Sequence, residues 1–276
     1  MKKILIALDG EHFPHGALRF AEFINKQEEI LLAGVFLSPV DYSKLMAYTA
    51  GVDGVGVMPD WPAKSDDAEL IAANIHLFEE ACNERGINYR IHKDDDLTAL
   101  SSLVKETRFA DLLLVSSELF YKNVSAEQPN YYLEEVLKDA ECPVMLLPEN
   151  FVPSTTVLMC YDSGASSLFA IRQFAYLFPN LAGKRSVLVC INDTKTEDLP
   201  EYEMLSELLE GHYPYLQIHN IREADKKHFA EWLAGQPNSY VVMGAFSRGM
   251  LSEIFRKSFA KDVIRDIRMP LFISHK

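Results

Sequence analysis

The residues with the clearest chemical potential follow an apolar run near the end of the chain, in VVMGAFSRGMLSEIFRKS, residues 241–258. Gly244 ends the apolar run, Ser247 and Arg248 follow in a short polar loop, and Ser258 lies in an amphipathic helical pattern. A strand, a loop and a helix in this order can present backbone N–H groups to a phosphate. An arginine can add charge-assisted hydrogen bonds. The segment therefore predicts an anion cradle, although it has fewer glycines than such loops usually have.

A second segment lies at the matching place earlier in the chain. SSELFYKNVSAEQPNYYLE, residues 116–134, also follows an apolar run, but it begins with Ser116 and contains no glycine. A serine after a strand is most often a helix cap. For both segments the alternative interpretation is a plain connection between a strand and a helix, and we favour that alternative.

The elements that must position these residues occur twice. KKILIALDGEHFPHGALRFAEFI and TTVLMCYDSGASSLFAIRQFAYLF each give an apolar strand, an aspartate (Asp9 or Asp162), a small polar loop and a helical pattern. VLKDAECPVMLLPE and VIRDIRMPLFISHK each give a helix and a last strand entered through a proline. A repeat of this length indicates tandem domains. We assign them to residues 1–149 and 154–276, joined within PENFVPST.

Five strand patterns alternate with helices in each half, and most are apolar almost throughout. Such strands are buried on both faces, which is typical of parallel sheets covered by helices. The predicted fold class is α/β, with two tandem doubly wound domains, each a mostly parallel five-stranded sheet with helices on both faces. Ligands are then expected beyond the carboxyl ends of the strands. A single undivided sheet would contradict this interpretation.

These paired features resemble the universal stress protein family, in a tandem form with two domains in one chain. The resemblance covers essentially all 276 residues and implies the adenine nucleotide alpha hydrolase-like fold. In ATP-binding members the loop after the fourth strand reads Gly-x2-Gly-x9-Gly-(Ser/Thr). Gly244 and Ser258 match its first and last positions, whereas Ser247 and Lys257 replace the second and third glycines.

The resemblance also implies roles for single residues. Asp162 would hold the base or ribose of a nucleotide, and Ile191 would line the adenine pocket. The phosphates would lie on Gly244, Ser247 and Ser258, with Arg248 or Lys257 neutralising their charge. In the first half the counterparts are Asp9 and Ser116.

The family that the chain resembles has an ATP-binding group and a group that does not hold nucleotide, and the altered loops favour the second group. Because half of the motif is changed in the second half of the chain, and no glycine stands in the first, we predict a non-catalytic stress-response protein with no cofactor. One alternative is an ATP or AMP sensor, or a slow ATPase, that uses the second half only. Another is a sensor of some other small ligand in the cleft of the first half. We find no catalytic set, which leaves open whether the protein is an enzyme.

The partners follow from the resemblance and from charge. The family's homodimers pair through their last strands, so the two halves are expected to form an intramolecular pseudo-dimer through 144–147 and 271–273, and the whole chain could pair again into a homodimer. The formal net charge of −13 repels nucleic-acid backbones and anionic lipid. We therefore predict no nucleic-acid and no membrane partner.

The cellular compartment is predicted from short apolar runs and from cysteine usage. The run after the two N-terminal lysines is cut by Asp9, too early for an export signal, and no stretch is long enough for a membrane span. The four cysteines form no CxxC pair, and most fit strand patterns as small core residues. The sequence therefore predicts a cytoplasmic protein.

Three further features carry weaker hypotheses. A long insertion at about 38–67, with Tyr42, Tyr48 and Trp61, could cover the cleft of the first half or pack against the second. EHFPH, residues 11–15, and His92 with the aspartates at 94–96 could each be interpreted as metal ligands. Neither has the spacing of a complete ligand set, and we favour a solvated loop and a helix cap, respectively.

Overall fold

The computed structural model describes residues 1–8, 13–37, 65–94, 99–117, 136–191, 201–221, 229–236, 238–244 and 269–274. Its strands are β1 (Lys2–Leu8), β2 (Ile30–Leu37), β3 (Asn88–Asp94), β4 (Leu112–Ser116), β5 (Val144–Leu147), β6 (Thr156–Tyr161), β7 (Arg185–Ile191), β8 (Tyr215–Ile221), β9 (Ser239–Gly244) and β10 (Leu271–Ser274). Its helices are α1 (His15–Asn25), α2 (Ser65–Glu84), α3 (Ala99–Thr107), α4 (Ala165–Leu177), α5 (Pro179–Ala182), α6 (Tyr202–His212) and α7 (Phe229–Ala234). Residues 136–139 are also helical.

The ten strands form a sheet in the order β3-β2-β1-β4-β5-β10-β9-β6-β7-β8. Within the first half β1 pairs in parallel with β2 and β4, β2 with β3, and β4 with β5. The second half repeats this order with β6 in the place of β1. The predicted α/β class, with mostly parallel strands and five strands per half, is confirmed.

The two halves meet along β5 and β10, which pair antiparallel, with Leu271 opposite Leu146 and Ile273 opposite Val144. The pairing predicted between these two strands is therefore present. The expectation of two separate sheets needs a correction, because this pairing makes the sheet continuous across the chain. The seam is the only antiparallel pairing among the described strands.

Proline starts both seam strands, as predicted. Pro143 precedes β5, and its carbonyl oxygen accepts a hydrogen bond of 2.9 Å from the backbone N–H of Leu113 in β4. Pro270 precedes β10, and its carbonyl accepts a hydrogen bond of the same length from Val241 in β9. A proline lacks an N–H and is therefore tolerated at the first position of a strand. In both halves, a proline thus precedes the last strand, and its carbonyl oxygen pairs with the neighbouring strand.

Helices cover both faces of the sheet, because successive strand residues point to opposite sides. In β1, Ile4, Ile6 and Leu8 belong to one buried apolar cluster, with residues of α1, α2, α4 and α6. Leu5 and Ala7 belong to the other, with residues of α3, the 136–140 segment and α7. The near-continuous apolar strands thus supply both cores at once.

The first core crosses the seam through aromatic rings. Phe20 of α1 contacts Phe178, which follows α4, at a centroid distance of 5.6 Å. Phe272 of β10 contacts Phe174 of α4 at 5.3 Å and Phe178 at 6.2 Å. Edge-to-face pairs of this kind contribute beyond the area that they bury. The halves therefore share one packed core instead of touching only at strand edges.

All four cysteines are buried, and for three of them strand-like or strand-edge contexts predicted this. Burial raises the pKa of the Cys82, Cys142 and Cys160 thiols to about 12. A thiol with such a pKa is hardly ionised at neutral pH and is a poor nucleophile. These cysteines act as small core residues.

The long insertion can be followed only at its end. Of the predicted residues 38–67, those at 65–67 open α2, while 38–64 lie outside the described residues. A covering role for Tyr42, Tyr48 and Trp61 stays a prediction. Across the part of the chain that the structure describes, no helix combines the length and apolarity that a membrane crossing requires.

The shared core predicts how the protein unfolds. Replacing Phe272, which is fully buried at the seam, with alanine should lower the free energy of unfolding by about 3–5 kcal/mol. Phe109→Ala, at a phenylalanine that is 73% exposed, should change it by less than about 0.5 kcal/mol. Urea unfolding followed by far-UV circular dichroism measures both, and the wild type should unfold in one transition. Equal effects of the two substitutions would contradict a shared core at this seam.

Candidate functional site

Two of the predicted binding residues lie at the same edge of the second half. Asp162 is the first residue after β6, and Gly244 is the last residue of β9. β6 and β9 are parallel neighbours, so their carboxyl ends meet at one edge of the sheet. Helix α4 begins there, at Ala165. This is the place where a doubly wound sheet binds ligands.

The carboxylate of Asp162 is engaged by the start of α4. Its Oδ1 accepts a hydrogen bond of 3.0 Å from the backbone N–H of Gly164 and one of 2.6 Å from the hydroxyl of Ser167. Gly164 immediately precedes α4 and Ser167 lies in its first turn, so these hydrogen bonds tie the loop after β6 to the start of the helix. Asp162 therefore has a structural role that does not depend on any ligand.

Gly244 is a glycine because helix α4 lies directly against it. A Cβ built at this position would lie 2.5 Å from the carbonyl carbon of Ser166 and 2.5 Å from the backbone nitrogen of Ser167. Backbone atoms of a packed helix cannot yield to such a contact without moving the helix. The glycine is thus explained by strand-to-helix packing, before any phosphate is considered.

Of the other binding residues predicted in the second half, Ile191 alone lies among the described residues. Ile191 ends β7, and its backbone lies opposite Ile221 of β8. Ser247, Arg248, Lys257 and Ser258 lie outside the described residues. Their assignment to a phosphate cradle stays a prediction.

The corresponding edge of the first half is arranged differently. Ser116 is the last residue of β4 and only 1% exposed. Its hydroxyl donates a hydrogen bond of 2.8 Å to Oε1 of Glu149, which follows β5. Asp9 lies outside the described residues. The sequence reasoning missed Glu149, and it also found no base beside this serine.

The Ser116–Glu149 pair does not form a nucleophile. A carboxylate is a weak general base for a serine hydroxyl, and triads place a histidine between them. The burial of Ser116 also keeps a substrate from its oxygen. The contact instead ties the segment after β5 to the end of β4.

That segment also lies against the first turn of α1. A Cβ built on Gly16 would lie 2.0 Å from the carbonyl oxygen of Pro148 and 3.1 Å from the Cα of Glu149. The backbone N–H of Phe151 donates to Pro148 at 3.0 Å, which closes a turn. In the first half, the close approach that needs a glycine is therefore made by the chain after the last strand.

The two metal hypotheses gain no support from these residues. Nδ1 of His92 lies 2.5 Å from Oε2 of Glu106 in α3. His15 opens α1 and packs edge-on against Phe13, with ring centroids 5.0 Å apart. Glu11, His12 and the two aspartates at 95–96 lie outside the described residues. Within the ranges given above, no three His, Cys, Asp or Glu side chains are grouped as metal ligands would be.

Comparison with known proteins gives matches in structure only. No protein-family profile matches the chain, and no curated protein matches it in sequence. A universal stress protein from Archaeoglobus fulgidus DSM 4304 has a structure with a TM-score of 0.69 at 14% identity, covering 100% of this chain and 96% of that one. A functionally unknown protein from Pseudomonas aeruginosa PAO1 gives a TM-score of 0.58 at 12% identity, with coverage of 100% and 92%. At these identities the likeness shows the fold, and it spans both halves.

The contact at Gly244 yields a paired prediction. Gly244→Ala should destabilise the protein by about 2 kcal/mol or more, because the new methyl group meets helix backbone. Gly211→Ala is the matched control, since nothing lies within 4 Å of a Cβ at that helical position. It should be neutral or stabilise by up to about 1 kcal/mol. Thermal unfolding of both variants without ligand decides the matter, and an unaffected Gly244 variant would refute the packing explanation.

The hydrogen bonds of Asp162 yield a second prediction about stability at this edge. Asp162→Ala removes the acceptor for Gly164 and Ser167 and should cost about 0.5–2 kcal/mol. Asp162→Asn keeps an oxygen in the same place and should cost less than about 0.5 kcal/mol. Urea unfolding at neutral pH compares the two variants. Equal losses would show that charge, and not the hydrogen-bond geometry, supports this helix start.

Proposed function

We propose that this chain is a tandem member of the universal stress protein family and acts as a non-catalytic, cytoplasmic stress-response protein. The full-length likeness to a universal stress protein structure supports the family. The duplicated sequence pattern, in which each half carries the strand, aspartate, loop and proline-led last strand, supports it independently. We further propose that the two halves act as an intramolecular pseudo-dimer around the β5–β10 seam.

One observation favours the leading proposal, in which no nucleotide binds, over a nucleotide-binding role. At both carboxyl edges, the protein's own groups already engage the polar side chains that a nucleotide would need. Ser167 and Gly164 donate to Asp162 in the second half, and Ser116 donates to Glu149 in the first. A ligand would have to replace these hydrogen bonds, which lowers its net gain on binding.

A nucleotide sensor or slow ATPase in the second half is the second candidate. It is supported by the position of Asp162 and Gly244 at one edge, beside the first turn of α4. A helix N-terminus at a strand edge is a favourable place for phosphate. In this candidate Asp162 holds the base or ribose, Ile191 lines the adenine pocket, and the loop residues Ser247, Arg248 and Ser258 contact the phosphates.

A ligand titration separates the two candidates. With about 2 mM ATP or AMP, we expect the melting temperature to stay within about 1 °C of the ligand-free value, because no nucleotide binds tightly. Binding at 100 times the dissociation constant would stabilise the folded state by about 2.7 kcal/mol and raise the melting temperature by several degrees. Mass spectrometry of the purified protein tests for bound nucleotide, and a stoichiometric amount would overturn the leading proposal.

If nucleotide does bind, a matched pair of variants locates it. Asp162→Asn should then weaken binding by about tenfold, since it keeps the helix start but removes the charge. Asp9→Asn, at the equivalent sequence position of the first half, should leave the affinity unchanged. The reverse result would exclude the second half as the site.

A further inference from the structure

At the carboxyl edge of each half, backbone atoms lie directly against the first turn of that half's first helix. In the second half the end of β9 itself touches α4, at Gly244. In the first half Pro148 and Glu149, which follow β5, occupy the space against α1 at Gly16. The segment that joins the halves therefore packs against α1 at the edge of the first half, and it brings the carboxylate of Glu149 to that edge.

That carboxylate is held in a defined position. Its Oε1 accepts the hydrogen bond from the buried hydroxyl of Ser116 at 2.8 Å. The segment is anchored two residues later by Phe151, which is buried and packs edge-on against Phe20 at 5.5 Å. Nε of Arg19 in α1 donates to the carbonyl of Phe151 at 3.3 Å. Strand, helix and aromatic core thus all fix the turn that presents Glu149.

We propose that Glu149 is a built-in anion that occupies the phosphate position of the first half and keeps external anions out of it. This inference rests on the proposed function, in which the end of β4 corresponds to the phosphate loop of the family. It adds that the first half is closed by a contact from the chain's own interdomain segment. The loss of loop glycines is then only part of the reason that the first half is not a binding site.

The chemistry of the contact explains the exclusion. An ionised carboxylate only accepts hydrogen bonds, and a serine hydroxyl has one proton to donate. While Ser116 donates its hydroxyl proton in a hydrogen bond to Glu149, it cannot donate to a phosphate oxygen. A negative group at the same place also repels a phosphate. An internal carboxylate needs no association entropy, so it competes favourably with a ligand from solution.

Removing the carboxylate tests the proposal. Glu149→Ala empties the position, and Glu141→Ala is the control, because Glu141 is an exposed carboxylate of the same half that pairs with Arg108. The probe is inorganic tripolyphosphate, which has no base to bind elsewhere. We expect Glu149→Ala to bind it at least about tenfold more tightly than the wild type or Glu141→Ala. Equilibrium dialysis gives the affinity, and slower amide hydrogen exchange at residues 113–117 locates the site.

Each other outcome counts against the proposal. A folded Glu149→Ala variant with no gain in affinity overturns it, and so does an equal gain in both variants, which would reflect net charge alone. A fall of more than about 10 °C in the melting temperature of Glu149→Ala would show that the carboxylate holds the fold together instead of excluding anions. Protection at residues 241–244 in the wild type would contradict the proposed function and not this inference, so the two failures are distinguishable.

Discussion

The antiparallel pairing of β5 with β10 is the constraint on which the rest of the structure depends. It joins two parallel five-stranded arrays into one sheet and brings α1 and α4 together on one face. The aromatic rings of Phe20, Phe178 and Phe272 fill the space above the seam. Because these rings come from both halves, the two halves share one core at the seam. The tandem chain is held together by core packing as much as by its covalent link.

The same architecture imposes different solutions at the two candidate edges. Gly244 lets α4 approach the end of β9, whereas Gly16 lets the segment after β5 approach α1. The polar contacts differ in the same way. Asp162 accepts hydrogen bonds at the start of the helix that follows it, whereas Ser116, at the end of β4, donates to Glu149 in the segment after β5. The two halves share a strand order, while the described polar contacts at their strand ends differ.

The fold could be predicted from the sequence more completely than the candidate site could. Ten strand patterns, most of them apolar, and two proline-led last strands were enough to predict the strands, because burial on both faces leaves a pattern in single residues. The seam pair was predicted from the resemblance to the universal stress protein family. Gly244 was predicted as a binding residue from the order of strand, loop and helix, and Asp162 from the family resemblance. Their contacts with Ser166 and Ser167 depend on how closely a helix packs. Glu149 was missed because it lies in the joining segment and meets Ser116 33 residues away. No local motif announces such a contact.

The direction of the strands at the seam has a consequence for anything that binds. Since β5 and β10 run in opposite directions, the carboxyl ends of the first five strands face one rim of the sheet and those of the second five face the other. Four to eight residues of strand separate the rims, or roughly 13–26 Å at about 3.3 Å per residue. The edge that holds Ser116 and Glu149 and the edge that holds Asp162 and Gly244 therefore lie on opposite rims of one continuous sheet.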